Sequence, residues 1–151
     1  MSLLDNYKSK LGTVQQLIVG EVLKTNDESQ KYGLMLSPQE AHELVMTRDR
    51  AIQNHGRFEL GIEVVNKIIN AFCSSPYINP EDYLFTLNEL VEIFYYMKNE
   101  TEDSIGDDEL IGLMQEFFNH SCEGSIELLK NRELGLFARN MRRDRQAAEY
   151  L

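Results

Sequence analysis

Apolar residues recur at every third or fourth position along most of the chain and nowhere alternate over a convincing length, so the pattern predicts helices and no sheet. The strongest period lies between Gly61 and Asn99. In its first half, Ile62, Val65, Ile68, Ile69, Phe72 and Cys73 share a stripe covering less than half of a helix, with Glu63, Asn66, Lys67 and Asn70 opposite. Pro76 ends that helix, because the residue before a proline is pushed out of the helical region. The second half opens on a start signal: Asn79 at the N-cap, Pro80 at the first helical position, then Glu81 and Asp82 in the first turn. Tyr83, Leu87, Leu90, Val91, Phe94 and Met97 follow as its inner face. Phe85 and Tyr96 fall on the far face, in line with Glu89 and Glu92.

The flanking segments read as helices that cover this hairpin. Leu3, Leu4, Tyr7 and Leu11 form a weak stripe, continued past Gly12 by Val14, Leu17, Ile18 and Val22, with Gly33 as a stop. Ser37-Pro38-Gln39-Glu40 is a capping box that opens a helix to about Asn54. Its inner face is Ala41, Leu44, Val45 and Ile52, but Arg48 sits at the centre of the same stripe, with His55 at the exit. A charge there must be paired or reach water, and Glu59 and Asp82 are the carboxylates nominated for it. Beyond an acidic loop at 99–107, for which Ser104 or Asp107 is the expected cap, come Leu110, Leu113, Met114, Phe117 and Phe118. Ser125 then caps a last helix or helix pair burying Ile126, Leu129, Leu134, Phe137 and Met141, with a break near Gly135. The expected fold is all-α: one domain over residues 1–143, a bundle of about six helices around a central helical hairpin (residues 61–75 and 80–98), with 144–151 a polar, frayed tail.

A chain of 151 residues is long enough to bury a core without metal or disulfide. Cys73 and Cys122 lie far apart without metal-ligand spacing, which suggests reduced thiols and a cytoplasmic protein. No apolar run is long enough to span a bilayer, and the N-terminus lacks a signal-peptide core. The formal charge of −10 is concentrated: residues 81–125 hold twelve acidic side chains against one basic, Lys98. Such a surface repels phosphate backbones and makes nucleic-acid binding by the body of the domain an unfavoured reading. The basic cluster Arg139, Arg142, Arg143 and Arg145 is read first as pairing with this acidic segment and second as a contact for an anionic partner.

Little catalytic chemistry is legible. The acidic loop fails the EF-hand test: from Asn99, the sixth position is Ser104 instead of glycine and the twelfth is Leu110 instead of glutamate. His42, His55 and His120 form no metal-binding pair, and His120-Ser121-Cys122 are sequence neighbours, which is not a dyad. No phosphate loop or nucleophile elbow is present, and no cofactor or metal is expected. Two functional readings follow. The first is a non-enzymatic interaction module whose acidic, aromatic-bearing face (Phe85, Glu89, Glu92, Tyr96) meets a protein partner or a second copy in a homodimer. The alternative is a ligand-binding protein or enzyme with a pocket around Arg48, His55, Glu59 and Tyr77, in which Arg48 would point into open space.

The runs HGRFELG, AFCSSPYI and IFYYMKNE resemble an uncharacterised family of small, helical bacterial proteins described as a domain of unknown function, over about residues 32–143. The resemblance implies a cytoplasmic, soluble, helical protein and brings no activity, ligand or catalytic residue with it.

Overall fold

A computed structural model describes residues 12–149. The stripe at Leu3, Leu4, Tyr7 and Leu11 and the last two residues of the expected tail lie outside the described residues. Among those described there is no strand, and six helices of ten residues or more carry the architecture: α1 (Thr13–Leu23), α2 (Pro38–Asn54), α3 (Glu63–Phe72), α4 (Tyr83–Glu100), α5 (Asp107–Asn119) and α6 (Leu134–Glu149).

The expected all-α bundle is what forms, with α3 and α4 at its centre. Val65, Ile68, Ile69 and Phe72 of α3 and Leu87, Leu90, Val91 and Phe94 of α4 have no accessible surface. Phe72 meets Phe118 of α5 edge-on, with ring centroids 5.4 Å apart, a favoured aromatic arrangement. The bundle has two distinct ends. Helices α2 and α4 run side by side in the same sense, so Gln39 and His42 share a groove with Asn88 while Arg57, just past α2, reaches Asp103, just past α4. Helices α3 and α5 run the other way: Lys67 pairs with Asp108 near their starts, and Phe72 meets Phe118 near their ends. One end therefore holds the 56–62 connection and the acidic loop; the other holds the elbow.

The local signals act unevenly. Ser37 and Glu40 form both bonds of the capping box, and Gly33 ends the preceding 3₁₀ turn in the left-handed region at φ 77°. Asn79 is extended as a cap should be, but its side chain bonds nothing there, and Pro80–Asp82 form a 3₁₀ turn before α4 begins. The cap of α5 is Gly106, not Ser104 or Asp107; Asp107 is the first residue of the helix and pairs with Lys98. Ser125 caps as expected, through Leu128 N–H, but the helix after it widens into a π turn at Leu129–Glu133 before α6. The polar tail expected to fray from residue 144 continues α6 as far as Glu149, and Arg145 within it pairs with Glu102.

Tyr77 braces the elbow end. Its ring stands edge-on to Phe118 at 6.4 Å, and its Cβ lies where a side chain on Gly124 would begin. Gly124 is also left-handed at φ 80°, so only glycine satisfies both the backbone and the contact. Gly124→Ala should cost about 2 kcal/mol in chemical denaturation, from strain and the displaced tyrosine together.

Candidate functional site

Arg48, placed by the inward stripe of α2, is 4 % exposed. Its Nη1 donates to Asp49 Oδ1 at 2.8 Å; its Nη2 donates to the backbone carbonyl of Glu59 at 3.0 Å and to that of Gly61. The guanidinium is thus satisfied by its sequence neighbour and by main chain. Neither nominated carboxylate holds it: Asp82 is exposed at the start of α4, and the Glu59 carboxylate accepts from the Tyr95 hydroxyl. Burial first, and then this carboxylate, push the Tyr95 hydroxyl well above its ordinary pKa.

The network continues outward. Arg57 stacks over the Tyr95 ring, 5.9 Å from its centroid, and lies 4.0 Å from Glu59. It forks onto Asp103 with bonds of 3.1 and 2.7 Å. Lys98, buried in α4, donates to Ile105 O at 2.7 Å and pairs with Asp107 at 2.9 Å and Asp103 at 3.7 Å. Glu100 pairs with Arg142, and Glu102 with Arg145 at 2.8 Å. The acidic loop is therefore folded around the protein's own cations. Glu102 and Asp103 are held left-handed, at φ 52° and 58°, a conformation that non-glycine residues adopt at a cost.

This network fixes the segment 57–61. Arg57 and Glu59 point inward while Phe58 and Leu60 point out, 84 % and 82 % exposed. Alternating side chains, with carbonyls two residues apart bound by one guanidinium, are the mark of extended backbone. The result is a short ridge bearing two large apolar side chains. It continues towards α1, where Leu17, also exposed, lines a shallow groove of about 270 Å³ with Gly61 and Ile62. Exposed Glu63 adds a negative charge beside it, while Asp49 and Asp103 show half-exposed carboxylates that are already paired with Arg48 and Arg57.

The structure brings Arg48 and Glu59 together, with His55 nearby in the chain as the C-cap of α2, but places Tyr77 at the opposite end of the bundle. Arg48 points at backbone and not into a cavity. On α4, Phe85 is exposed, Glu92 is exposed and Glu89 half-buried, whereas the Tyr96 ring is partly covered by the Lys130 ammonium, 5.8 Å from its centroid. Sequence reasoning missed Asp49, Arg57, Tyr95 and the ridge itself. The signal available was the lone Lys98 in an acidic segment, which implied an internal counter-ion. Cys122 is buried, which pushes its thiol pKa up, and His120 is turned outward beside Glu116, so they form no catalytic pair. Among the described residues no group of three His, Cys, Asp or Glu side chains is placed to hold a metal ion, and no helix is long and apolar enough to cross a membrane.

Two tests follow from this geometry. Arg48→Lys should lose about 2–3 kcal/mol of unfolding free energy, because an ammonium cannot fork to two carbonyls and a carboxylate. Arg57, with Lys98 behind it, holds the Asp103 carboxyl below its ordinary pKa of 3.8. Its folded-state pKa is depressed, so its stabilisation is present above pH 3.8 and fades as pH falls through the lower, folded value. Asp103→Asn should remove that part of the acid dependence and cost about 1 kcal/mol at neutral pH, the carboxylate being half exposed. Urea titrations across the acid range read both.

The comparisons with known proteins give a family and no activity. No curated protein and no solved structure matches the chain. One family model, described as a family of unknown function, matches residues 21–147, which takes in the last turn of α1, all of α2 to α5 and most of α6. By that match, the chain belongs to the family of unknown function DUF6323.

Proposed function

We propose that this protein is a non-enzymatic interaction module and that the Phe58–Leu60 ridge is its contact point. The observation that carries this reading is the exposure of two large apolar side chains on a backbone that a buried arginine pins in place. An apolar pair left in water is a cost unless something covers it, and each side chain offers about 1.5–3 kcal/mol on burial. The pinned backbone lowers the ordering entropy that a partner must overcome. Those two properties define an anchor of the kind that dominates protein interfaces.

The acidic rim selects the occupant. A second copy would set Glu63 against its own kind, with no unpaired cation to meet it because Arg48 and Arg57 are held by Asp49 and Asp103, so a different protein with an apolar cleft rimmed by lysine or arginine is the fitting partner. The α4 face is the second candidate contact, supported by the exposed Phe85 beside Glu89 and Glu92. The reading as an enzyme or small-ligand binder draws no comparable support, since Arg48 has its donors engaged and Tyr77 is remote from it.

The experiment is co-purification from cell extract, followed by reconstitution of the captured protein with purified components. Phe58→Ser with Leu60→Ser should weaken that complex at least about tenfold, or about 1.4 kcal/mol, without lowering the melting temperature. Glu89→Lys with Glu92→Lys should leave it nearly unchanged. The opposite pattern would move the contact to the α4 face. Dimerisation lost on mutating the ridge would make the occupant a second copy.

A further inference from the structure

A second surface carries the opposite charge. Where the π turn at Leu129–Glu133 leads into α6, a groove of about 290 Å³ opens against the outer side of α4, lined by Tyr96, Lys130, Asn131, Gly135, Ala138, Arg139 and Arg142. It gathers three cations on a chain whose net charge is −10. Arg142 is neutralised by Glu100. Among the described residues, Lys130 and Arg139 meet no carboxylate: the Lys130 ammonium rests on the Tyr96 ring, and Arg139 Nε reaches only the carbonyl of Gly135, at 3.4 Å.

Two cations without counter-ions in one concavity form a local basic patch. Gly135 and the buried Ala138 form its floor, with Gly135 packed close to the Lys130 carbonyl. The Asn131 side chain adds an amide donor at the rim. The π turn points the same way, because such widened turns are rare and concentrate at functional sites.

We infer that this groove binds a small phosphate monoester, with Lys130 and Arg139 taking the phosphate and the exposed Tyr96 ring lining the organic part. The charge decides the class: a phosphate monoester is close to a dianion at neutral pH and matches two unpaired cations, whereas a carboxylate matches one. Arginine supplies paired donors that fit phosphate oxygens, and lysine a compact charge. The site is separate from the Phe58–Leu60 ridge, so either assignment can fail without the other.

The test is ³¹P line broadening of phenyl phosphate by the full chain, compared with binding of phenylacetate, which presents the same ring on a monoanion. Binding of phenyl phosphate at millimolar concentration is expected, with phenylacetate weaker by about tenfold or more. Arg139→Gln and Lys130→Gln, both at exposed side chains, should each weaken phenyl phosphate by about tenfold, while Lys24→Gln, on α1's far end, leaves it unchanged. Absence of broadening, equal binding of the two probes, or equal losses from all three substitutions would overturn the assignment.

Discussion

The burial of one guanidinium governs the end of this molecule where its most unusual surface lies. Arg48 sits in the core stripe of α2, and a charge so placed must find partners or destabilise the fold. It finds them in the main chain of the following connection, binding the carbonyls of Glu59 and Gly61. That choice stretches residues 57–61 across the end of the bundle and turns Glu59 inward to Tyr95. Phe58 and Leu60, the alternate residues, have nowhere to go but out. A buried ion is weak evidence for stability in itself, and its value here is geometric.

The same logic explains the acidic segment. Twelve carboxylates against one ammonium called for cations from elsewhere in the chain, and the arginines near the C-terminus were the ones expected to supply them. The loop after α4 collects them from three directions: Lys98 from beneath, Arg57 from the ridge, and Arg142 and Arg145 from α6. Its charges are spent on joining distant parts of the chain, and they hold two residues in left-handed backbone to do so. The carboxylates left over, at Glu63 and along α4, supply the negative field that a partner would meet.

How much of this was readable depended on whether the information was local. The period of three and four residues in 61–98, the Ser37–Glu40 capping box and the Gly33 stop each act within a turn or two, and all appear where the residues place them. Arg48 was recognisable as a problem, because its position in the stripe is periodic. Its solution was not, because backbone carbonyls eleven and thirteen residues away have no sequence signature. Tyr95 was hidden for the same reason: an apolar ring in a helix does not advertise the carboxylate it will meet 36 residues upstream. Tyr77 was grouped with Arg48 on chemistry alone, and the length of α3 separates them. The pairing of Arg142 and Arg145 with the acidic segment was foreseeable from charge, whereas Arg139, expected to join them, reaches only the Gly135 carbonyl, and the π turn before it was announced by no residue pattern.

The central claim is that Phe58 and Leu60 are exposed and yet held still. Backbone ¹⁵N relaxation of the free protein measures this directly, through the order parameters of Phe58 and Leu60 relative to those of α3 and α4. A pinned ridge predicts values close to the rigid-helix level of about 0.85, whereas values below about 0.6 would mean an ordinary mobile loop and would contradict the account.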